Sequence, residues 1–267
     1  MRYLVFGDVH GNLTALDAVL AAGRKRGVEG YLFVGDIIGY GPEPLECIDR
    51  LLPLQERGDL AWVVGNHEML VRGEVDPTGY SDEALETLEW TKDQLEHNPR
   101  AKAFVDSGEL TVCANGLIWL THDSLASPGS GGYHRSPRNA KSELACLRYS
   151  EGRVCFYGHT HSMRAELYGE SGVMLAPMPA QPGDGLDPRP LRLRTGELGW
   201  IGTGSVGLPT NRDRRAEFLI LDDTNATTWS VEKYEVPYSR ETARSRVRAI
   251  LGPECRKSIV EQICRWL

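Results

Sequence analysis

The chain has 267 residues, of which 41% are hydrophobic and 25% charged, and its formal net charge is −7. This size and composition predict a soluble globular protein with a sizeable core, and the acidic balance argues against a general attraction to nucleic acid or to an anionic membrane. No apolar stretch has the length of a membrane span, and the N-terminal residues do not have the pattern of a secretory signal. The six cysteines lack CxxC spacing, which predicts reduced thiols in a cytoplasmic protein.

Three apolar segments near the start of the chain are predicted to be short buried strands, and each is followed by a glycine and then by polar side chains. The segments are residues 3–6, 31–34 and 61–64, and the polar side chains are Asp8, His10, Asp36, Asn66 and His67. Helices are predicted between them, one capped by Asn12 and one from about Pro44 to Glu56. Because parallel βαβ units place their carboxyl strand ends at one edge of a sheet, we expect the five polar side chains to be neighbours.

The rest of the chain continues this alternation. Asn115-Gly116 predicts a hairpin between strands 110–114 and 117–121, and the second of these runs into His122. A strand at 154–157 runs into His159 and His161. The other predicted elements are a loop after Glu68, a helix at about 82–97 capped by Ser81, a short helix at 140–147, strands at 199–201, 217–221 and 228–236, and two helices after about Ser239 that break at Gly252-Pro253. Composition predicts a mobile loop at 124–139 and an irregular surface segment at 177–190.

Five of the seven histidines directly follow predicted strands, which scattered structural histidines would not be expected to do. The five are His10, His67, His122, His159 and His161. Together with Asp8, Asp36 and Asn66 they form a nitrogen and oxygen ligand set without cysteine, which suits Mn²⁺, Fe²⁺, Ni²⁺ or Zn²⁺. Eight residues are too many for one ion and about right for two ions that share a carboxylate.

Five motifs follow one another along the first part of the chain. They are GDVHGN at 7–12, GDIIGYGP at 35–42, GNHE at 65–68, His122 after its strand, and GHTH at 158–161. In this order they resemble the motifs of the calcineurin-like metallophosphoesterases. The GDxxGYGP form, together with GSVG at 204–207, is most similar to a small prokaryotic phosphodiesterase subgroup.

The resemblance implies an α/β fold of two packed mixed β-sheets flanked by helices, a four-layer sandwich. We expect one domain over residues 1–267, with the catalytic core in about 1–222 and a strand and helices in about 223–267. The resemblance also implies two divalent ions that share Asp36 as a bridging ligand, with Mn²⁺ favoured over Fe, Ni or Zn. His67 would lie beside the ions and act as the general acid. The remaining implied ligands are Asp8, His10 and His161 for the first ion and Asn66, His122 and His159 for the second.

The implied activity is attack on a phosphoester by a hydroxide that bridges the ions, with His67 protonating the leaving oxygen. Where the protein-phosphatase branch has Asp-Arg, this chain has Gly39-Tyr40. The arginine that would bind a phosphomonoester dianion is therefore missing, which favours a phosphodiester substrate. The alternatives are a nucleotide phosphomonoesterase or dinucleoside polyphosphate hydrolase of the same mechanism, and a non-catalytic scaffold of the same fold. The expected partner is a small phosphoester substrate, without nucleic acid or membrane, and a homo-oligomer stays open.

Some details of the site stay open at this point. Tyr40 is either a packing residue or part of the pocket wall, and His67 could act only as a hydrogen-bond partner of Glu68 or of the backbone.

Asp123 stands where the family more usually has glycine, so we expect another acid near the second ion. The turn at 202–207 departs from the subgroup's Asn-Pro-Gly-Ser, and we expect it to be more flexible while supporting the GHTH loop. Loop residues that could reach a phosphate are His134, Arg135 and Arg138.

Overall fold

The computed structural model describes residues 1–131, 137–169, 172–176 and 190–267. Within these ranges, twelve strands form two six-stranded mixed sheets. The first sheet has the spatial order β3 (Leu60–Trp62), β2 (Gly30–Phe33), β1 (Arg2–Phe6), β11 (Ala216–Asp222), β12 (Thr228–Val236) and β9 (Leu191–Arg194). The second has the order β4 (Thr111–Cys113), β5 (Ile118–Thr121), β6 (Val154–Tyr157), β10 (Leu198–Thr203), β7 (Met163–Gly169) and β8 (Gly172–Ala176).

Helices cover the outer faces of both sheets. The helices of the described residues are α1 (Leu13–Lys25), α2 (Pro44–Glu56), α3 (Asn66–Arg72), α4 (Asp82–Glu96), α5 (Pro99–Ser107), α6 (Pro137–Tyr149), α7 (Arg240–Arg246), which continues into a π-helical turn (Val247–Leu251), and α8 (Lys257–Trp266). Among the described residues, no helix combines the length and the apolar character needed to cross a membrane.

Three apolar layers hold the sandwich together. In β1, Leu4 and Phe6 face the core under α1 and α2, whereas Val5 faces the second sheet, as the two-residue period of a strand requires. Phe156 of β6 belongs to the layer between the sheets, and its neighbour Tyr157 packs outward with α6. The order of layers is therefore helices, sheet, sheet and helix, which confirms the predicted α/β four-layer fold.

The structure confirms the predicted helix starts that rest on capping residues. The side chain of Asn12 accepts a hydrogen bond from the N–H of Ala15, and that of Ser81 accepts one from the N–H of Ala84. The hairpin around Asn115-Gly116 also forms, with β4 and β5 antiparallel. These predictions succeeded because each depends on contacts within a few residues.

Other local predictions were wrong or incomplete. A helix, α3, extends through Arg72 where a loop was predicted after Glu68, and α6 begins at Pro137 instead of at residue 140. The strands β7, β8 and β9 and the helix α5 were not predicted; β7 carries Arg164 and Glu166, whose buried ion pair hides the apolar pattern of the strand. The predicted surface segment at 177–190, except for its last residue, lies outside the described residues.

Candidate metal centre

The polar side chains predicted to converge lie at the carboxyl ends of parallel strands from both sheets. β1, β2 and β3 are mutually parallel in the first sheet, as are β5, β6 and β10 in the second. The two edges meet where the N–H of His159 donates a hydrogen bond to Oδ1 of Asp8, at 3.0 Å. The structure brings all eight predicted site residues to this junction, and most are less than a tenth exposed.

Two groups of ligand-type atoms meet at the carboxylate of Asp36. On one side, Nε2 of His10 lies 3.9 Å from Oδ2 of Asp36 and 3.0 Å from Nε2 of His161. On the other side, Nε2 of His122 lies 3.2 Å from the same Oδ2. Oδ1 of Asn66 lies 3.0 Å from Nε2 of His122 and 2.8 Å from a ring nitrogen of His159. The carboxylate of Asp36 therefore lies between the two groups of ligand-type atoms.

Backbone carbonyls orient the histidine rings. Nδ1 of His10 faces the carbonyl of Ile38 at 3.3 Å, and Nδ1 of His122 faces the carbonyl of Val34 at 2.7 Å. Such a contact places a proton on Nδ1, so that Nε2 faces the centre and would be the metal-binding atom once it is deprotonated. His159 is turned the other way, with Nδ1 inward towards Asn66.

The donor set fits divalent cations. The ligand atoms of Asp8, His10 and His161 lie within 4.8 Å of one another, and so do those of Asp8, Asp36 and His122. Oδ2 of Asp8 is buried and has no hydrogen-bond partner among the described residues. Because an unpaired buried carboxylate oxygen is unfavourable, a bound cation would complete this environment.

The electrostatics of the site follow from burial and proximity. Burial lowers the pKa of His10 well below its usual value. Burial and the nearby charge of His122 together lower the pKa of His159 to about 4. Burial also opposes ionisation of Asp36, but the surrounding histidines, His122 first, hold its pKa well below the ordinary value. For His122 itself, burial is outweighed by Asp36, which raises its pKa to about 10. Ligands bind metal when deprotonated, so metal uptake at His122 would release a proton.

The backbone at the site is held in an unusual conformation. Among the described non-glycine residues, eight have a positive φ, and six of these lie at the candidate site. The six are Asp8, His10, Asp36, Tyr40, His159 and His161. Such conformations persist where the surrounding structure fixes them, and they concentrate at functional sites.

His67 lies beside the cluster with its own contacts. Its N–H donates to Oδ1 of Asp36 at 3.0 Å, and its Nε2 lies 3.9 Å from Oδ2 of Asp36. Nδ1 is buried against Gly39, where a Cβ would come within 2.0 Å of that nitrogen. Because His67, His10 and Asp36 also group within 4.8 Å, distance alone leaves His67 open as a ligand or as an acid.

Glu68 holds the backbone of the site in place, a role that no sequence pattern assigned to it. Its buried carboxylate accepts hydrogen bonds from the backbone N–H groups of Gly65 at 2.7 Å, Asp36 at 2.8 Å, Ile37 at 2.9 Å and Ile38 at 3.2 Å. Burial and the charge of Asp36 raise the pKa of this carboxyl to about 7, against the effect of the N–H donors. The signal available in the sequence was the GNHE motif, in which this acid stands next to His67.

Asp123 lines the cleft together with His122 and His159, near the predicted ligands of the second ion as expected, and it also organises the following loop. Its two oxygens accept hydrogen bonds from the N–H groups of Ser124 at 2.7 Å, Gly129 at 3.0 Å and Gly131 at 2.7 Å, and Ser130 Oγ lies 3.4 Å away. The carboxylate therefore organises the start of the 124–139 loop, residues 124–131, through hydrogen bonds to its backbone. His134 and Arg135 lie outside the described residues, as does the side chain of Arg138.

The turn after β10 and the residue that follows it contact two of the loops that carry site residues. Oγ of Ser205 donates to the carbonyl of Asp8 at 2.9 Å, and the N–H of Gly207 donates to the same carbonyl at 2.9 Å. Nδ1 of His161 faces the carbonyl of Leu208 at 3.2 Å. The turn thus connects the loop after β1 with the GHTH loop, as expected for a supporting element.

Comparisons with known proteins agree with this geometry. A family model described as calcineurin-like phosphoesterase matches residues 1–163. An uncharacterised protein of Methanocaldococcus jannaschii is 26% identical over 246 residues, which cover 91% of this chain and 90% of that protein. A metallophosphoesterase from Sphaerobacter thermophilus is 25% identical, with a TM-score of 0.71 and 100% of both chains covered. A hypothetical protein from Pyrococcus horikoshii shares the fold, with a TM-score of 0.72 at 18% identity, covering 98% of this chain and 97% of that one.

Proposed function

We propose that this chain, which belongs to the calcineurin-like phosphoesterase family and is a metal-dependent phosphoester hydrolase, acts on phosphodiesters with His67 as general acid. The observation that carries the preference for diesters is the composition of the cleft beside the centre. This cleft has a volume of about 770 Å³, and its described lining includes no lysine or arginine. A phosphomonoester dianion carries one more negative charge than a diester, and these described walls offer no lysine or arginine to bind it.

The seven residues other than His67 form the proposed metal-binding set. The proposed ligands are Asp8, His10, Asp36, Asn66, His122, His159 and His161, with Asp36 shared between two ions. When bound, divalent ions would supply Lewis acidity and an activated water near neutral pH. We propose Mn²⁺ as the preferred metal, with Fe, Ni and Zn as alternatives that the same donors accept.

The proposed proton transfer is assigned to His67. In the hydrolysis, a water oxygen bonds to phosphorus, the bond from phosphorus to the leaving oxygen breaks, and that oxygen receives the proton of His67. The attacking water loses one proton to the solvent, and His67 takes one proton back from the solvent, so that the net reaction consumes one water. Burial lowers the pKa of His67, which makes the imidazolium a stronger acid, and the Asp36 carboxylate partly opposes this effect.

The mono- and diester alternatives can be separated directly. Purified protein loaded with Mn²⁺ would be assayed with p-nitrophenyl phosphate, bis(p-nitrophenyl) phosphate and a dinucleoside polyphosphate. We expect the highest kcat/KM for the diester. A higher kcat/KM for the monoester or for the polyphosphate would overturn the diester proposal, and no turnover of any of the three by fully loaded protein would favour the scaffold.

A further inference from the structure

Two tyrosines line the cleft next to His67. The ring centre of Tyr40 lies 4.9 Å from that of His67, and the ring centre of Tyr80 lies 6.4 Å from it. Both tyrosines line the same cleft as Asp36, together with the apolar side chains of Met69 and Leu110. An aromatic and apolar surface therefore adjoins the proposed general acid.

The position of Tyr40 is fixed by contacts that come from distant parts of the chain. Its φ is +58°, which a bulky side chain rarely adopts. Its N–H donates to Oγ1 of Thr87 at 3.0 Å, and the ring of Trp266 packs edge-on against its ring with centres 5.3 Å apart. A strained backbone held in this way indicates that the placement of the ring matters to the site.

Tyr80 comes from the segment between α3 and α4. Its ring meets the ring of His67 at 76°, and its hydroxyl lies 3.5 Å from the backbone carbonyl oxygen of Asn66. The same segment contributes Val75 and Asp76 to the cleft. The described charged side chains of the lining, Asp76 among them, are acids or site histidines, so an anionic group would be unfavourable against this wall.

We propose that Tyr40 and Tyr80 form a subsite for the leaving group of the phosphodiester, and that this group is uncharged and aromatic, such as a nucleoside base or an aryl ring. The inference rests on the proposed function, because a general acid must lie at the leaving oxygen. If His67 protonates that oxygen, the group attached to the oxygen lies next to His67 and therefore against the two tyrosine rings. Aromatic side chains bind such rings through stacking that tolerates different bases.

The subsite can be tested with two diesters whose leaving groups have similar acidity and differ in aromatic area, methyl phenyl phosphate and methyl 2-naphthyl phosphate. The Mn²⁺-loaded wild type should favour the naphthyl ester in kcat/KM. Tyr80→Ala should raise KM for the naphthyl ester about tenfold, the fold-change that corresponds to roughly 1.4 kcal/mol of stacking. Tyr80→Phe should keep the preference because it keeps the ring. Tyr149→Ala, which removes a tyrosine that is 91% exposed on α6, serves as the matched control.

A binding measurement makes the test independent of turnover. A methyl naphthylmethyl phosphonate, in which CH₂ replaces the leaving oxygen, should bind the loaded wild type more tightly than its phenyl counterpart and lose this advantage in Tyr80→Ala. Equal binding of the two phosphonates by the wild type, or an unchanged naphthyl preference in Tyr80→Ala, would overturn the subsite and leave the proposed function standing. Preferential naphthyl binding without any diester turnover would instead overturn the proposed function and support an aromatic binding surface.

Discussion

The carboxylate of Glu68 accepts a hydrogen bond from the backbone N–H of Asp36 at 2.8 Å, and so connects the loop after β2 to the start of α3. Further bonds from Ile37, Ile38 and Gly65 end on the same carboxylate. One buried side chain thus sets the position of the Asp36 loop relative to the helix that carries His67.

Glu68→Gln should loosen this connection. An amide presents donors towards backbone N–H groups that need acceptors, and hydrogen bonds to a charged group contribute about 1.5–3 kcal/mol each. We expect a lower melting temperature and weaker Mn²⁺ binding, measured by thermal unfolding and by metal titration. Glu89→Gln, on the exposed face of α4, is the control and should change neither. Unchanged metal affinity in Glu68→Gln would contradict this role.

Gly39→Ala should displace His67. The added Cβ would lie 2.0 Å from Nδ1 of that ring, and φ at Gly39 is +89°. Gly27→Ala provides a matched control, because Gly27 also has a positive φ, +68°, while no atom lies within 4 Å of the added Cβ. Both variants should lose some stability, and only Gly39→Ala should lower kcat by a large factor. Equal kcat values for the two variants would show that the packing of Gly39 against His67 does not matter for activity.

His67→Ala separates the role of acid from the role of ligand. Without a general acid, kcat should fall about 10²–10⁴-fold for a diester with a poor alkoxide leaving group. The fall should be much smaller for p-nitrophenolate, which leaves without protonation, and both metals should be retained. His97→Ala, at the exposed end of α4, is the control. Loss of a metal ion in His67→Ala would identify the residue as a ligand instead.

The sequence predicted those parts of the fold and site that depend on local signals. Strand ends followed by glycine and polar residues located the eight site residues, because the carboxyl ends of parallel strands lie together whatever the rest of the chain does. Asn12 and Ser81 located helix starts because a cap is a contact across three residues. β7 was not predicted, because Arg164 and Glu166 form their ion pair only in the assembled sheet.

No local sequence pattern predicts the contacts made by Asp123, Glu68 and Tyr40. Asp123 follows His122 directly, yet its oxygens bind the N–H groups of a loop up to eight residues away. Tyr40 depends on Trp266, more than two hundred residues later in the chain. The direction in which such a side chain points is set by tertiary packing, and a single sequence does not contain that information in a local pattern.

Glu217 predicts a pH dependence of stability. Burial raises the pKa of this carboxyl from its ordinary 4.5 to about 7, although Lys233 lies 3.9 Å away. The folded state then binds more protons than the unfolded state between these two values, so this group's contribution to stability falls as pH rises from about 4.5 to 7 and stays low above. In chelator, Glu217→Gln should therefore melt higher than the wild type at pH 8, and this advantage should disappear near pH 4.5. An advantage of equal size at both pH values would contradict the assigned pKa.

Metal stoichiometry tests most directly whether Asp36 is shared between two metal ions. Wild type, Asp36→Asn and the control Asp106→Asn, an exposed residue on α5, would be loaded with Mn²⁺, freed of excess metal by gel filtration and analysed by plasma mass spectrometry. We predict two ions per chain in the wild type and the control, and at most one in Asp36→Asn. Two ions retained in Asp36→Asn would contradict the shared carboxylate.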